Sequence, residues 1–149
     1  MKRKALFPGS FDPYTVAHDA IVQRALSFSD EIIIAIGINP EKKNIFDLKS
    51  RIDFIQRLYK NEKRISVASY EMLTLDFARN KKVSFIIRGV RNIFDFEYEK
   101  SMADFNRKIS GIDTVFLISE PEFAHISSSL VRELITHKQY IAHFIPEIK

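Results

Sequence analysis

Two patterns of apolar residues alternate along the chain: short runs that are almost continuously apolar, and longer segments in which apolar residues recur at helical spacing. Five short apolar runs have the length and composition of strands: Lys4 to Phe7, Ile32 to Gly37, Ile65 to Ala68, Val83 to Ile87 and Thr114 to Ile118. Five other segments carry apolar residues at helical spacing: Ala20 to Phe28, Asp47 to Tyr59, Leu73 to Asn80, Phe94 to Ile109 and Ser127 to Thr136. Strands and helices therefore alternate along the chain.

This alternation predicts an α/β fold in which a five-stranded parallel sheet is covered by helices on both faces. The chain has 149 residues, 46% of them hydrophobic, which is enough for one substantial core. We therefore expect a single doubly wound, Rossmann-like domain spanning residues 1–149, ending in a short helix or arm from Tyr140 to Lys149. In such a domain the ligand site lies beyond the carboxyl ends of the strands, so functional residues should directly follow strands.

The charge balance is compatible with an anionic ligand. There are 23 Lys and Arg residues against 19 Asp and Glu, a net charge of +4. This excess alone does not separate a nucleic-acid-binding module from an enzyme that acts on phosphorylated small molecules. A nucleic-acid-binding module would need a contiguous basic face or an aromatic stacking platform, and the sequence has neither, so no nucleic-acid partner is expected.

Composition also narrows the location and the metal chemistry. There is no cysteine, and the four histidines lack the close pairing of a zinc ligand set, so any metal should be a hard cation held by phosphates. The longest apolar run, Ile32 to Ile38, is far too short to cross a bilayer, and the N-terminus has no cleavage site typical of a signal peptide. We therefore expect a cytoplasmic protein without a membrane partner.

The first strand-to-helix turn, Pro8 to His18, contains the most distinctive group of residues. Gly9 permits a tight exit from the strand, Ser10 offers a hydroxyl and a backbone N–H, and Thr15 can cap a helix whose N-terminus attracts phosphate. The imidazole of His18, on the first turn of that helix, can donate a hydrogen bond to a phosphate oxygen there. Taken alone, the segment fits equally well an ordinary turn followed by a surface histidine.

Basic residues follow two other strands. Lys42 lies in the loop after the second strand, where it is either a ligand or an ordinary loop lysine. Arg88 closes the fourth strand, with Gly89 and Arg91 directly beyond it. Because an arginine after a buried run is costly unless an anion pairs with it, we interpret Arg88 as an anion-binding residue. Asp95 and Glu99 either bind nucleotide groups or form salt bridges with Arg91 and its neighbours.

A second candidate phosphate site lies at the start of the last helix. Ser127, Ser128 and Ser129 supply three hydroxyls beside the free N–H groups of the helix start, and Arg132 follows one turn later. The alternative interpretation is an N-cap with more serines than it needs. The chain contains neither the G-x-x-x-x-G-K-[ST] nor the G-x-G-x-x-G pattern, which disfavours P-loop kinases and dinucleotide dehydrogenases.

These motifs together resemble the nucleotidyltransferase superfamily. Thr15-Val16-Ala17-His18 is similar to its H-x-G-H signature, and Ile126 to Arg132 is similar to I-S-S-T-x-x-R. The order and spacing resemble most closely bacterial phosphopantetheine adenylyltransferase, over nearly the whole chain, in six segments: Gly9 to Pro13, Asn39 to Lys43, Phe77 to Asn80, Ile87 to Arg91, Asp95 to Glu99 and Ile126 to Ser129.

The resemblance implies a reaction that joins 4′-phosphopantetheine to the AMP part of ATP, with Mg²⁺ accompanying the ATP, in a homohexamer. It implies that His18 stabilises the transition state, that Ser10, Lys42, Thr74 and Arg88 bind the pantetheine substrate, and that Lys42 and Arg88 hold its phosphate. It assigns the ATP site to Ser10, Phe11, His18, Gly89, Val90, Arg91, Glu99, Phe123, Ala124, His125, Ile126, Ser127, Ser128 and Ser129. The alternative within the superfamily is a nucleotidyltransferase that acts on a mononucleotide or a polyol phosphate.

Two positions depart from the family pattern. Ala17 stands where the superfamily has glycine, and its methyl group is expected to crowd a nucleotide that approaches the backbone closely. His125 replaces the more usual phenylalanine before Ile-Ser-Ser-Ser. No residue is placed as a nucleophile near Ser10 and His18, so catalysis would consist of positioning and charge stabilisation, since the acceptor phosphate is itself a nucleophile.

Overall fold

The computed structural model describes all 149 residues and contains the five strands and five helices that the sequence predicts. The strands are β1 (Lys4–Gly9), β2 (Glu31–Gly37), β3 (Ile65–Tyr70), β4 (Phe85–Val90) and β5 (Asp113–Ile118). The helices are α1 (Val16–Ala25), α2 (Leu48–Leu58), α3 (Thr74–Asn80), α4 (Ile93–Ser110) and α5 (Ser128–Thr136). The tail contains only one short 3-10 helix, Ala142–Phe144.

All neighbouring strands are parallel, in the order β3-β2-β1-β4-β5, which confirms the doubly wound sheet. The alternating side chains of β2 separate two apolar layers. Ile32, Ile34 and Ile36 pack with residues of α1 and α2 on one face. Ile33 and Ala35 pack with residues of α3 on the other face. Helices therefore cover both faces of the sheet, as expected.

Helix α1 begins at Val16, before the helical apolar spacing of Ala20 to Phe28, because Thr15 is its N-cap, as the sequence predicts. One predicted boundary was wrong in a way that affects the site. Strand β4 continues to Val90, not to Ile87, because residues 85–90 pair in register with β5. Arg88 is consequently a strand residue whose backbone is fixed by the sheet.

The sheet opens at the point where the strand order reverses. Strand β1 pairs with β2 over its full length, from Lys4 with Glu31 to Gly9 with Ile36. Its pairing with β4 is limited to Ala5 with Phe85 and Leu6 with Ile86. The carboxyl ends of β1 and β4 therefore diverge and leave a crevice at the switch point, where doubly wound sheets bind ligands.

Helix α4 differs from the other helices in its exposure. It is the longest helix, and none of its 18 residues is buried, although it contacts β4, β5 and α3. Seven of its large apolar side chains are exposed: Ile93, Phe94, Phe96, Tyr98, Met102, Phe105 and Ile109. No helix in the chain is both long and apolar enough to cross a membrane.

Candidate active site

The crevice between β1 and β4 contains two adjoining cavities. One, of about 320 Å³, is lined by the first turn, the start of α1, the end of β4 and the start of α5. The other, of about 410 Å³, lies between the ends of β1 and β2 and helices α3 and α4. Five residues line both cavities: Pro8, Gly9, Ser10, Arg88 and Glu99. We call the first the α1–α5 cavity and the second the α3–α4 cavity. Two ligands, one bound in each cavity, would meet at the five shared residues.

The first turn leaves β1 through a tightly packed glycine and a strained aromatic residue. Phe11 is buried and has a φ of 48°, in the left-handed region that few residues other than glycine adopt. A Cβ atom on Gly9 would lie 2.9–3.3 Å from the ring of Phe11, closer than real Cβ atoms approach a ring. Gly9 is therefore required so that the Phe11 ring can fold back over the end of β1.

Hydrogen bonds to other parts of the chain fix the conformation of this turn. The carboxylate of Asp12 accepts hydrogen bonds from the N–H groups of Ile45 and Phe46, at 3.0 and 2.9 Å. Arg51, on α2, is buried and donates to the carbonyl of Ser10 at 2.8 Å. Arg132, on α5, donates to the carbonyl of Asp12 at 2.9 Å. The backbone of the turn is therefore fixed by residues from three other parts of the chain.

The geometry around His18 fixes which imidazole nitrogen carries the proton. The N–H of Thr15 donates to Nδ1 of His18 at 2.9 Å, and the Thr15 hydroxyl lies 3.1 Å from the same atom. A backbone N–H can only donate, so Nδ1 is an acceptor and the neutral ring is protonated on Nε2. The predicted cap by Thr15 is confirmed, and it forms a capping box with His18.

The ring of His18 remains neutral at physiological pH. Burial, together with the positive charges of Arg88 and Arg91, lowers its pKa from 6.5 to about 3. The edge of the ring packs against Phe11, with 5.0 Å between ring centroids, and its face lies near Tyr14. His18 can thus donate a hydrogen bond from Nε2 in the α1–α5 cavity without bringing a charge.

Arg88 has its counter-ion within the protein. Its Nε and Nη2 atoms donate to the two carboxylate oxygens of Glu99 at 2.9 and 2.6 Å, and Nη1 donates to the carbonyl of Pro8 at 2.7 Å. The premise that this arginine needs an anionic partner holds, but Glu99 supplies the negative charge, so the pairing alone does not make Arg88 a ligand-binding residue. A phosphate that binds Arg88 must share it with, or displace it from, Glu99.

Arg91, just before α4, has a similar partner in the first turn of that helix. Its side chain donates to both oxygens of Asp95, at 3.0 and 3.3 Å, and its backbone N–H donates to the same carboxylate. Of the two interpretations of Asp95 and Glu99, salt bridging therefore describes both residues here. Both pairs nevertheless line the α1–α5 cavity, so they remain within reach of a ligand there.

Lys42 and Thr74 lie in different cavities. Lys42 comes from the loop after β2 and donates to the Ser10 hydroxyl at 2.9 Å, which brings its ammonium group to the α1–α5 cavity. Thr74, the first residue of α3, lines the α3–α4 cavity and shares a hydrogen bond of 2.9 Å with the Tyr70 hydroxyl. Sequence reasoning missed Tyr70 and Met102, which line the same cavity, because no motif marks them.

The three serines before α5 are individually engaged. The hydroxyl of Ser127 caps the helix by accepting from the N–H of Leu130, and that of Ser128 donates to the carbonyl of Pro13. The hydroxyl of Ser129 accepts from Arg132. The N-cap interpretation therefore holds for Ser127, while all three serines also line the α1–α5 cavity, as the phosphate-site interpretation requires.

Most of the predicted site residues converge, but not all. Ser10, Phe11, Lys42, His18, Gly89, Arg91, Glu99, Ile126 and Ser127 to Ser129 line the α1–α5 cavity. Val90 does not; its side chain is buried and lines another cavity, together with Ile93 and Phe96. Phe123, Ala124 and His125 form the turn before α5 and line neither cavity; His125 is exposed.

Two features missed by sequence reasoning support the site. Arg51 and Asp12 hold the first turn, and both are buried. The burial of Arg51 could have been predicted, because it lies at helical spacing between Leu48 and Ile55, on the apolar side of α2. Asp12 has no comparable signal, because its partners, Ile45 and Phe46, lie more than 30 residues away.

The fold and the arrangement of this crevice define a nucleotide-transferring class of protein. Residues 6–134 match the model of the cytidylyltransferase-like family. The phosphopantetheine adenylyltransferase of Bacteroides thetaiotaomicron is 52% identical over 97% of this chain and 96% of its own length. That of Flavobacterium johnsoniae is 48% identical over 97% and 95% of the two chains. The chain belongs to the cytidylyltransferase-like family and, within it, to the phosphopantetheine adenylyltransferases.

Solved structures share the fold at low sequence identity. A bifunctional NMN adenylyltransferase/ADP ribose pyrophosphatase from Francisella tularensis, complexed with AMP and a manganese ion, has a TM-score of 0.72 at 16% identity. The match covers 97% of this chain but only 44% of that bifunctional protein. A lipopolysaccharide core biosynthesis protein from Thermoplasma volcanium has a TM-score of 0.58 at 20% identity, over 80% of this chain.

Proposed function

We propose that this protein transfers the adenylyl group of ATP to 4′-phosphopantetheine and releases dephospho-CoA and pyrophosphate, as part of coenzyme A biosynthesis. The observation that carries the proposal is the pair of cavities that meet at Ser10 and Arg88, with His18 in one of them. We assign ATP to the α1–α5 cavity and the pantetheine arm of the acceptor to the α3–α4 cavity. The names of relatives about 50% identical over nearly the full chain support this assignment.

The reaction needs no protein nucleophile. An oxygen of the acceptor phosphate attacks the α-phosphorus of ATP, a new P–O bond forms, and the bond to the β-phosphate oxygen breaks with release of pyrophosphate. Negative charge grows on the oxygens of the α-phosphate during this exchange. In this proposal the Nε2–H of the neutral His18 donates to one of them, and Lys42 and Arg88 compensate the phosphate charges; all three residues line the α1–α5 cavity.

The proposal includes Mg²⁺ bound with ATP. No group of three His, Asp or Glu residues in this chain is arranged to hold a metal ion, and Asp95 and Glu99, the carboxylates of the α1–α5 cavity, are paired with arginines. This donor set fits an ion held chiefly by the phosphates of the nucleotide, as Mg²⁺ commonly is. When bound, Mg²⁺ would neutralise phosphate charge and ease the departure of pyrophosphate.

We also propose a homohexamer in the cytoplasm, where ATP is available. The exposed apolar side of α4 supports assembly, since contiguous exposed apolar surface of this kind marks an interface. Light scattering of the purified protein, beside Phe105→Glu and a control at an exposed polar residue of the same helix, Lys108→Glu, tests this part. A monomeric native protein, or equal effects of both variants, would contradict it.

Exchange of labelled pyrophosphate into ATP with each candidate acceptor tests the reaction. We expect exchange with dephospho-CoA and net adenylyl transfer to 4′-phosphopantetheine, and neither with nicotinate mononucleotide or a polyol phosphate. Transfer to one of the latter two would show that the alternative acceptor class is correct. Arg88→Lys serves as a matched variant, because it keeps the charge but loses the bidentate geometry.

A further inference from the structure

A chain of buried hydroxyl groups lies behind His18 and takes no direct part in the proposed reaction. Tyr14, in the first turn, and Tyr59, at the end of α2, are 2% and 8% exposed. Their hydroxyl oxygens are 2.7 Å apart. The Tyr59 hydroxyl is also 2.5 Å from a carboxylate oxygen of Asp19, the residue that follows His18 in α1. The chain therefore links the first turn, α2 and α1.

The direction of these hydrogen bonds is determined by Asp19. A carboxylate only accepts hydrogen bonds, so the Tyr59 hydroxyl donates one to Asp19. The oxygen of Tyr59 is then free to accept, and Tyr14 must be the donor in the bond between the two tyrosines. Burial raises the pKa of both tyrosines well above the usual value, so both stay protonated and the chain keeps one direction.

The aromatic ring of Tyr14 connects this chain to the imidazole. Its centroid is 5.2 Å from that of His18, and the two ring planes are inclined by only 30°. Both contacts from Thr15 go to Nδ1 of His18, so they do not by themselves set the plane of the imidazole. Phe7 and Phe11 also pack near the imidazole, but they have no polar atom with which to anchor their own rings.

We propose that Tyr14 and Tyr59 are positioning residues, which set the plane of the His18 imidazole and thereby the direction of its Nε2–H bond. This inference deepens the proposed function and depends on it for its kinetic consequence. A donor that is correctly aimed before the substrate arrives stabilises the transition state without reorganisation, whereas a tilted donor loses part of that effect. The expected loss therefore appears in kcat and not in the KM for ATP.

Two single variants and their combination test the proposal. Tyr59→Phe removes the acceptor and leaves the Tyr14 hydroxyl buried without a partner, which is more costly than removing both groups. We expect kcat to fall by roughly tenfold while the KM for ATP stays within about twofold. In the double variant Tyr14→Phe with Tyr59→Phe, no unpaired hydroxyl is left, but the ring at position 14 still has no anchor, so we expect kcat to stay low.

A matched control separates positioning from stability. Ser84→Ala also removes a hydroxyl with two hydrogen bonds, to the N–H of Lys4 and the carbonyl of Lys2, but at the opposite end of the sheet. We expect it to lower the melting temperature without changing kcat per folded molecule. An unchanged kcat in Tyr59→Phe would overturn the proposal. Recovery of kcat in the double variant would also overturn it, because the loss would then come from the unpaired hydroxyl and not from lost positioning.

A second measurement does not depend on the reaction. The ¹⁵N chemical shifts and relaxation of the His18 ring report its hydrogen bonding and mobility directly. We expect increased ring motion in Tyr59→Phe and in the double variant, even if the enzyme used another acceptor. Absence of adenylyl transfer in the native protein would reject the proposed function, whereas a ring equally rigid in all variants would reject the positioning role.

Discussion

The two walls of the crevice are held in place by different kinds of interaction. On the side of β1, arginine side chains bind the backbone of the first turn: the buried Arg51 donates to the carbonyl of Ser10, and the half-buried Arg132 donates to that of Asp12. On the side of β4, the arginines are held by ion pairs with acidic residues of α4. One wall is fixed by the core of the protein, and the other depends on a helix without a single buried residue.

This difference matches the different tasks of the two walls. A hydrogen-bond donor aimed at a transition state must not reorganise, and His18 lies on the wall that is fixed through its backbone. A group that takes up and releases a phosphate must exchange partners, and Arg88 lies on the wall where Glu99 can yield to a ligand anion. Variants of the first wall should therefore change kcat or stability, and variants of the second should change substrate affinity.

The sharpest test of the fixed wall is His18→Ala. Because its Nε2–H is proposed to act chiefly in the transition state, we expect kcat to fall by on the order of 10²–10³, or roughly 3 to 4 kcal/mol, with ATP binding and the fold nearly intact. Steady-state kinetics beside calorimetry measures both properties. A well-folded variant with a near-normal kcat would contradict the mechanism, and a parallel loss of stability and ATP affinity would indicate a structural histidine.

The corresponding test of the ion-paired wall is Arg88→Ala. We expect the KM for 4′-phosphopantetheine to rise by roughly 10- to 100-fold and the KM for ATP far less, because a bidentate charge-assisted contact to the acceptor phosphate is lost. Lys42→Ala should behave in the same way, with a smaller effect. Equal losses for both substrates would contradict the assignment of Arg88 to the acceptor.

The backbone anchor of the fixed wall can be removed by Asp12→Ala. The variant leaves the N–H groups of Ile45 and Phe46 without their acceptor, and we expect it to lower the free energy of unfolding by about 2–4 kcal/mol. Denaturant unfolding measures the change. Asp76→Ala is the control, since its ion pair with Arg79 is solvent-exposed and should contribute less than about 1 kcal/mol. Similar losses of unfolding free energy in both variants would show that the hydrogen bonds of Asp12 stabilise the protein no more than an exposed ion pair does.

Sequence reasoning succeeded where the determining interaction is local or follows from strand order. The cap of α1 depends on Thr15 and His18, three residues apart, and the position of Arg88 follows from the alternation of strands and helices. The same reasoning could not choose between nucleotide and arginine as the partner of Glu99, because both satisfy a carboxylate equally well. It could not find Asp12 either, since that contact depends on the packing of a distant loop.

The low pKa of His18 predicts a specific pH dependence. The folded-state pKa of about 3 lies below the ordinary value of 6.5, so the unfolded chain binds the proton first as the pH falls. The stabilising contribution of the neutral ring is complete above pH 6.5 and decreases between 6.5 and about 3. We expect the stability of His18→Gln to depend less on pH in this window than that of the native protein.

The activity of the native enzyme should show no inflection from His18 near pH 6.5, since its ring is already neutral there. Titration of the ring by ¹⁵N NMR provides the direct measurement. A His18 pKa near 6.5 in the folded protein would contradict the neutral donor that we assign to the fixed wall.

The smallest expected effect concerns Ala17, which lines the α1–α5 cavity from the first turn of α1. Ala17→Gly removes one methyl group beside the proposed nucleotide site, and we expect the KM for ATP to change by less than about threefold, with the acceptor and kcat unchanged. Glycine in a helix also costs roughly 0.5–1 kcal/mol of stability, whatever it does to the nucleotide. Ala20→Gly, in the same helix but outside the cavity, carries the same helix cost and measures that cost separately.

If only Ala17→Gly lowers the KM for ATP, the methyl group crowds the nucleotide. A switch of acceptor or a complete loss of activity would show that the first turn binds something other than proposed.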